Sequence, residues 1–189
     1  MLGTPVCHGG DLLTEHHIKT PLSFEDVQKL ALGDVVFLSG RVYTARDKAH
    51  ALMRQKGSPV SLEGAALYHC GPLIRDGRVL SAGPTTSGRM ARYTEEILRL
   101  GVRAIIGKGG VPGEPFRNRA VYLAYPGGCG AAAALQLKVA GVHLQELGMA
   151  EALWVFEAES LGPMIVAIDA HGNDLYQDVR RSAIERTKI

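Results

Sequence analysis

Cysteine is scarce, with only Cys7, Cys70 and Cys129 in the chain. Three thiols spread this widely do not make a disulfide framework, and no Cys-x-x-Cys pair frames a zinc site. Aromatic residues make up only 6% of the sequence, too few for a broad aromatic recognition surface. Charge of one sign is also missing. The 21 Lys and Arg face 19 Asp and Glu, so the formal net charge is +2. That balance excludes a dedicated nucleic-acid binder, which needs a concentrated basic face. No stretch approaches the roughly 18 apolar residues of a membrane span. Met1 to Asp11 lacks a basic n-region and an apolar h-region, so no signal peptide is expected. There is no Gly-x-x-x-x-Gly-Lys-Ser/Thr loop, no dinucleotide fingerprint, no zinc signature and no Ser-His-Asp arrangement. The expectation is a reduced, soluble, cytoplasmic protein that binds neither nucleic acid nor membrane.

What is present is a chain of 189 residues, 46% hydrophobic and 21% charged. At roughly 150 residues per domain this is one domain. It is long enough to bury about 70% of its unfolded surface. Residues 1–19 read as an N-terminal arm or an edge, irregular in pattern, with Cys7, His8 and the His16-His17 pair. Residues 20–189 read as a single α/β domain. Ser23 with Asp26 makes a capping box and starts a short helix. Val35 to Leu38 is strand-like, and Gly40 to Tyr43 continues it. Ala45 to Lys56 favours helix, and Ala65 to Cys70 favours strand, with turns at Gly71-Pro72 and Asp76-Gly77. A helix is expected from Ser87 to Leu100, then a buried strand from Val102 to Gly107. Ala120 to Tyr125 is another strand, and a small-residue helix is expected from Cys129 to Ala140. Ala152 to Glu157 and Met164 to Asp169 read as two strands separated by Leu161-Gly162-Pro163. Asp174 to Lys188 closes the chain as an amphipathic helix, with Leu175, Val179 and Ile184 on one side. Strands and helices alternating in this way indicate α/β architecture.

The 23 glycines mark tight turns, and the most informative of these precedes Thr85-Thr86-Ser87-Gly88-Arg89. Hydroxyl residues at an expected helix start cap backbone N–H groups, and such a start also attracts anions. Arg89 lies one turn beyond Thr85 and can grip a carboxylate with two hydrogen bonds. The plainer reading is an N-cap with a surface arginine. Gly107-Lys108-Gly109-Gly110 follows a buried strand, where ligands gather in open α/β sheets. Lys108 is there a point charge for an anion, or simply a solvated loop residue. Cys129 follows Pro126-Gly127-Gly128 with no base beside it, which favours tight packing over a nucleophile. Arg46 stands near a helix start with His50 one turn later. Together these groups are cations and hydroxyls suited to holding a small di-acid, without a complete catalytic apparatus.

The order of these motifs carries more than any one of them. Tyr43-Thr44-Ala45-Arg46-Asp47 with His50, Gly83-Pro84-Thr85-Thr86-Ser87 with Arg89-Met90, Gly107-Lys108-Gly109 and Gly127-Gly128-Cys129 occur in succession. Glu151-Ala152 with Trp154, Pro163, Asp169 and Gly172 complete the series. In this the chain resembles the β subunit of class I fumarases and L-tartrate dehydratases. The same unit forms the C-terminal domain of single-chain class I fumarases. The resemblance covers residues 20–186, and Met1 to His17 do not align. It implies a hydro-lyase and a swivelling β/β/α domain. It also implies a four-iron four-sulfur cluster held by three cysteines of a separate α subunit and not by this chain, with no metal ligand here. By motif, Arg46, Arg89 and Lys108 are expected to bind substrate carboxylates. Thr85 is expected to be the catalytic base, with Thr86 beside it and an acid from the partner assisting. Fumarate hydration to (S)-malate and L-tartrate dehydration both fit. Two other readings stay open on the residues alone: a stand-alone anion- or phosphate-binding α/β module, and a non-catalytic assembly subunit.

Overall fold

A computed structural model describes residues 6–8 and 11–187, with side chains from residue 14 onward. The side chains of Cys7 and His8 lie outside the described residues. Short strands β1 (Val6–His8) and β2 (Asp11–Leu13) pair with each other. Then β3 (Glu15–Lys19) runs parallel to β4 (Val35–Thr44), so residues 15–19 are the edge strand of the main sheet. Asp34 anchors that edge. Its carboxylate accepts hydrogen bonds from the backbone of Thr14 and Ala31 and lies 2.9 Å from the His16 ring.

The helix α1 (Phe24–Gln28) starts on the expected Ser23–Asp26 capping box. After β4 come α2 (Asp47–Lys56) and β5 (Ala66–Tyr68). A hairpin follows, β6 (Leu73–Arg75) and β7 (Arg78–Ser81), turning at Asp76-Gly77. The segment Ser87–Tyr93 is a 3₁₀ helix that leads into α3 (Thr94–Arg99). Strands β8 (Ala104–Gly107) and β9 (Val121–Ala124) continue the parallel set. Then follow α4 (Gly130–Leu135), β10 (Leu137–His143), the sixteen-residue β11 (Leu153–Ile168) and α5 (Leu175–Arg186).

Three of these elements differ from expectation. The small-residue helix stops at Leu135, because Leu137 to His143 is taken up as a strand against β11. The two strands expected between Ala152 and Asp169 are one, with register shifts on either side of Leu161. The helix expected from Ser87 is 3₁₀ for its first seven residues.

The seven-stranded sheet has the order β10-β11-β9-β8-β5-β4-β3. Strand β11 also pairs with β4, from Val155 to Ile165, so the sheet closes on itself. Along the central strands, alternate side chains enter two different cores. Ala66 and Tyr68, Ala104 and Ile106, and Val121 and Leu123 pack in one. Leu67, Ile105 and Tyr122 pack in the other, against Met53 of α2 and Ile97 of α3. Burial on both faces is why these strands read as unbroken apolar runs. The mixed α/β architecture leaves the carboxyl ends of the parallel strands β4, β5, β8 and β9 along one edge. No helix among the described residues is long and apolar enough to cross a membrane.

Candidate active site at the carboxyl edge of the sheet

The carboxyl ends of these strands lead into the loops that build the candidate site. Arg46 and Asp47 follow β4, His69 and Cys70 follow β5, Lys108 follows β8, and Gly127 follows β9. The segment Thr85–Ser87 crosses this edge and is zipped to it. The Thr85 N–H donates to the His69 carbonyl at 2.7 Å, and the Lys108 N–H donates to the Thr85 carbonyl at 3.2 Å. The Ser87 N–H donates back to the Lys108 carbonyl at 2.9 Å. Thr86 and Lys108 thus form a parallel bridge.

Arg89 joins two parts of the site. Its Nη2 donates to the Thr85 hydroxyl at 2.9 Å and to Asp47 Oδ2 at 3.1 Å. The Arg89–Asp47 pair is largely in solvent, with side chains 46% and 37% exposed. Such a pair is worth at most about 1 kcal/mol, so a carboxylate arriving from outside can displace Asp47. Among the described residues Nε and Nη1 of Arg89 have no partner. Lys108 is half-buried and forms no ion pair among the described residues. Its side chain lies over Gly127, where an added Cβ would sit 3.8 Å from the ammonium.

Arg46 is held differently. Its Nε lies 3.3 Å from Glu151 Oε1, and Glu151 also accepts from the Lys48 N–H at 2.9 Å. The guanidinium passes across Gly71. A Cβ there would meet Arg46 Nη1 at 2.6 Å and the Ala150 carbonyl at 2.8 Å, so only glycine admits this path. The structure therefore brings Thr85, Thr86, Arg89 and Lys108 into one contiguous group. Arg46 borders it through Asp47, with its own guanidinium turned toward Glu151.

The expected capping role of the hydroxyls is not what the structure shows. Thr86 stands at the cap position with extended backbone and caps nothing. Thr85 bonds Arg89, and the Ser87 hydroxyl is fully buried, 2.8 Å from His69 Nδ1 and 3.0 Å from the Tyr122 hydroxyl. Seven residues of 3₁₀ helix offer a weak dipole, and Arg89 is the cation in hydrogen-bond contact with the Thr85 hydroxyl. His50, one turn after Arg46, does not face solvent. It is buried, its Nδ1 donates to the Arg46 carbonyl at 2.8 Å, and its ring meets His69 edge-on. Burial lowers the His50 pKa to about 4. Burial also drives His69 well below the usual histidine value.

Neither described cysteine is prepared as a metal ligand. Cys70 is fully buried, and burial raises its pKa to about 12. The Cys129 thiol lies 2.8 Å from the Pro126 carbonyl, and its pKa is also raised, mainly by burial. Metals take the thiolate, which both settings disfavour. Among the described residues no group of three His, Cys, Asp or Glu could hold a metal ion.

Sequence reasoning missed Asp47 and Glu151, although both lie inside quoted motifs, and it missed His69 and Tyr122. A histidine and a tyrosine inside otherwise apolar strands were the available signals.

A family model described as fumarase C-terminus matches residues 11–179. A protein of Methanocaldococcus jannaschii named "Putative L(+)-tartrate dehydratase subunit beta" is 43% identical over 181 residues, covering 87% of this chain and 93% of its own length. The "L(+)-tartrate dehydratase subunit beta" of Escherichia coli K12 is 37% identical, covering 89% and 90%. A Geobacillus stearothermophilus protein named "Putative fumarate hydratase class I" is 36% identical, covering 89% of this chain and 35% of its own length.

Proposed function

Because this chain belongs to the fumarase C-terminal family, we propose that it is the β subunit of a hydro-lyase acting on a small di-acid. The two reactions it fits are hydration of fumarate to (S)-malate and dehydration of L-tartrate. The carrying observation is the hydroxyl of Thr85 held at 2.9 Å by Arg89 Nη2, on the same loop pair as Lys108, which has no ion-pair partner among the described residues.

Elimination of water from such a substrate needs a base at a C–H next to a carboxylate. Thr85 is the proposed base. Its neutral hydroxyl is a weak base, and the alkoxide is disfavoured at neutral pH. A cation within hydrogen-bond distance favours the charged form. Arg89 supplies that cation, and a substrate carboxylate that displaces Asp47 would be received by Nη2 together with a neighbouring guanidinium nitrogen. Lys108 is proposed to take the second carboxylate as a point charge, with Thr86 beside Thr85 and Arg46 at the border of the site. Electrostatic stabilisation of the enediolate-like charge by Arg89 and Lys108 is the larger part of this chain's contribution.

The residues of this chain do not fit an iron-sulfur cluster, since the two described thiols are both held in the neutral form and no third ligand joins them among the described residues. The reading therefore assigns the four-iron four-sulfur cluster to an α subunit in a hetero-oligomer. The names of the relatives support that organisation. Thr86 and Arg89 are exposed, which supports a swivelling domain that closes on its partner. The cytoplasm, where thiols stay reduced, is the compartment this reading favours.

The test is anaerobic co-expression with an α subunit carrying three cluster cysteines, followed by assay on malate, fumarate and L-tartrate. The complex is expected to turn over at least one of them and the isolated chain none. Turnover by the isolated chain, or full activity of the α subunit without it, overturns the proposal.

A further inference from the structure

Beneath the Thr86–Lys108 bridge lies a polar cluster that this reading of the reaction does not use. His69, Ser87 and Tyr122 are buried on three different elements and meet at one point. His69 Nδ1 is 2.8 Å from Ser87 Oγ, Ser87 Oγ is 3.0 Å from the Tyr122 hydroxyl, and that hydroxyl is 2.7 Å from the Gly109 carbonyl. A Cβ at Gly107 would collide with the Ser87 hydroxyl, so the glycine is required for the cluster to form.

The hydrogens in this cluster can be assigned. His69 Nε2 is buried and has no partner among the described residues. An orphaned buried N–H is rarer and more costly than an orphaned acceptor, so the ring proton belongs on Nδ1. Nδ1–H then donates to Ser87 Oγ. Tyr122 has one hydrogen, and the shorter contact gives it to the Gly109 carbonyl. Ser87 therefore donates to the Tyr122 oxygen. Every hydrogen points the same way, from His69 to the Gly-Lys-Gly loop.

His69 holds the crossing segment at two points, with its carbonyl on the Thr85 N–H and its ring on Ser87. Tyr122 holds the next residue after Lys108. We infer that His69, Ser87 and Tyr122 form a buried relay that positions Thr85 and Lys108 for the reaction, without touching the substrate. This rests on the hydro-lyase reading above. A displacement of about 1 Å in a reacting group can cost on the order of 100-fold in rate. The relay is thus expected to act on kcat more than on KM.

The test uses the assembled complex. Tyr122→Phe and Ser87→Ala should each lower kcat by about 10-fold or more, with KM changed less than about threefold. His69→Asn keeps a donor near the Nδ1 position and should stay within about threefold of wild-type kcat. His69→Leu should fall by about 10-fold or more. Equal losses for His69→Asn and His69→Leu, or wild-type kcat in Tyr122→Phe, overturn the inference. The ¹⁵N spectrum of the labelled full chain gives a readout independent of activity. It should show His69 as the Nδ1–H tautomer, with its signal altered in Ser87→Ala. The opposite tautomer overturns the relay. A wild-type complex that turns over none of the three di-acids refutes the functional reading instead, and leaves the tautomer result standing.

Discussion

Thr85 and Arg89 share one short contact, so substitutions at the two positions should be separable by what each removes. Thr85→Ala deletes the proposed base and one small polar group. General-base catalysis is typically worth about 10²–10⁴-fold, so kcat of the complex should fall by that order while assembly persists. Activity within a factor of a few of wild type would take Thr85 out of the chemistry. Arg89→Lys keeps the charge but loses the planar fork that binds a carboxylate at two points. It also loses the Nη2 contact to Thr85. Both KM and kcat should therefore change, and an unchanged KM would place Arg89 outside the substrate site. His50 gives a prediction about stability. Its pKa is about 4 in the fold, because burial disfavours the imidazolium, against about 6.5 unfolded. As pH falls below 6.5 the unfolded chain takes up the proton first. Stability is therefore full above pH 6.5 and is lost toward pH 4, by roughly 3 kcal/mol in all. His69 shifts in the same direction. Urea unfolding at pH 7.5, 6 and 5 avoids most carboxylate titration and should show the midpoint falling. A flat profile over that range would mean that these histidines are not held neutral.

At the scale of elements, much of the architecture was legible because local signals agreed with the tertiary answer. The Ser23–Asp26 box, the unbroken apolar strands and the Asp76-Gly77 turn each say the same thing locally and globally. The failures came where tertiary pairing decided. Leu137 to His143 contains valines that suit a strand, but it follows an alanine run that reads as helix. Pairing with β11 settles the matter, and no short window of sequence contains β11. The 3₁₀ turn at Ser87 has a similar cause, since its hydroxyl is engaged by His69 and Tyr122, which are distant in sequence. Of the site, the motif residues were legible as cations and hydroxyls, whereas Asp47 and Glu151 were not, because ion-pair partners depend on where side chains point. Helix α5 is a further case. Its amphipathic pattern is real, yet it buries no residue, and Val179 is 62% exposed. It is tied down at its start, where Asp174 accepts from the Tyr176 and Gln177 N–H groups. Asp174→Ala should cost about 0.5–2 kcal/mol of local helix stability. Hydrogen exchange should speed up across α5 with the sheet amides unchanged. Faster exchange in β8 and β9 as well would show that α5 is part of the global cooperative unit.

For the whole molecule the central fact is that a row of cations and hydroxyls stands on one open edge. Free cations are costly to bury but cheap to expose, so such an edge is stable in the isolated chain and becomes a site when something closes over it. The proposed closing partner brings the cluster, and this makes the cysteines of the present chain a decisive check. Cys70 is enclosed in the core with its thiol pKa raised to about 12, and it cannot reach an external iron without opening the sheet edge. Cys129 is only partly buried, on the loop that packs against Lys108, and its thiol already contacts the Pro126 carbonyl. Burial lets Cys70 behave as a small hydrophobe, so alanine is its conservative replacement, and serine suits the other two. A variant carrying Cys7→Ser, Cys70→Ala and Cys129→Ser, assembled anaerobically with the α subunit, should keep the iron content and electronic spectrum of the wild-type complex. Turnover is the wrong measure, because a change at Cys129 can move Gly127 and with it the Lys108 ammonium. Iron content separates the two effects: reduced rate with full iron is the expected range of outcomes, whereas loss of iron from a complex that still assembles would show that a thiolate of this chain ligates the cluster.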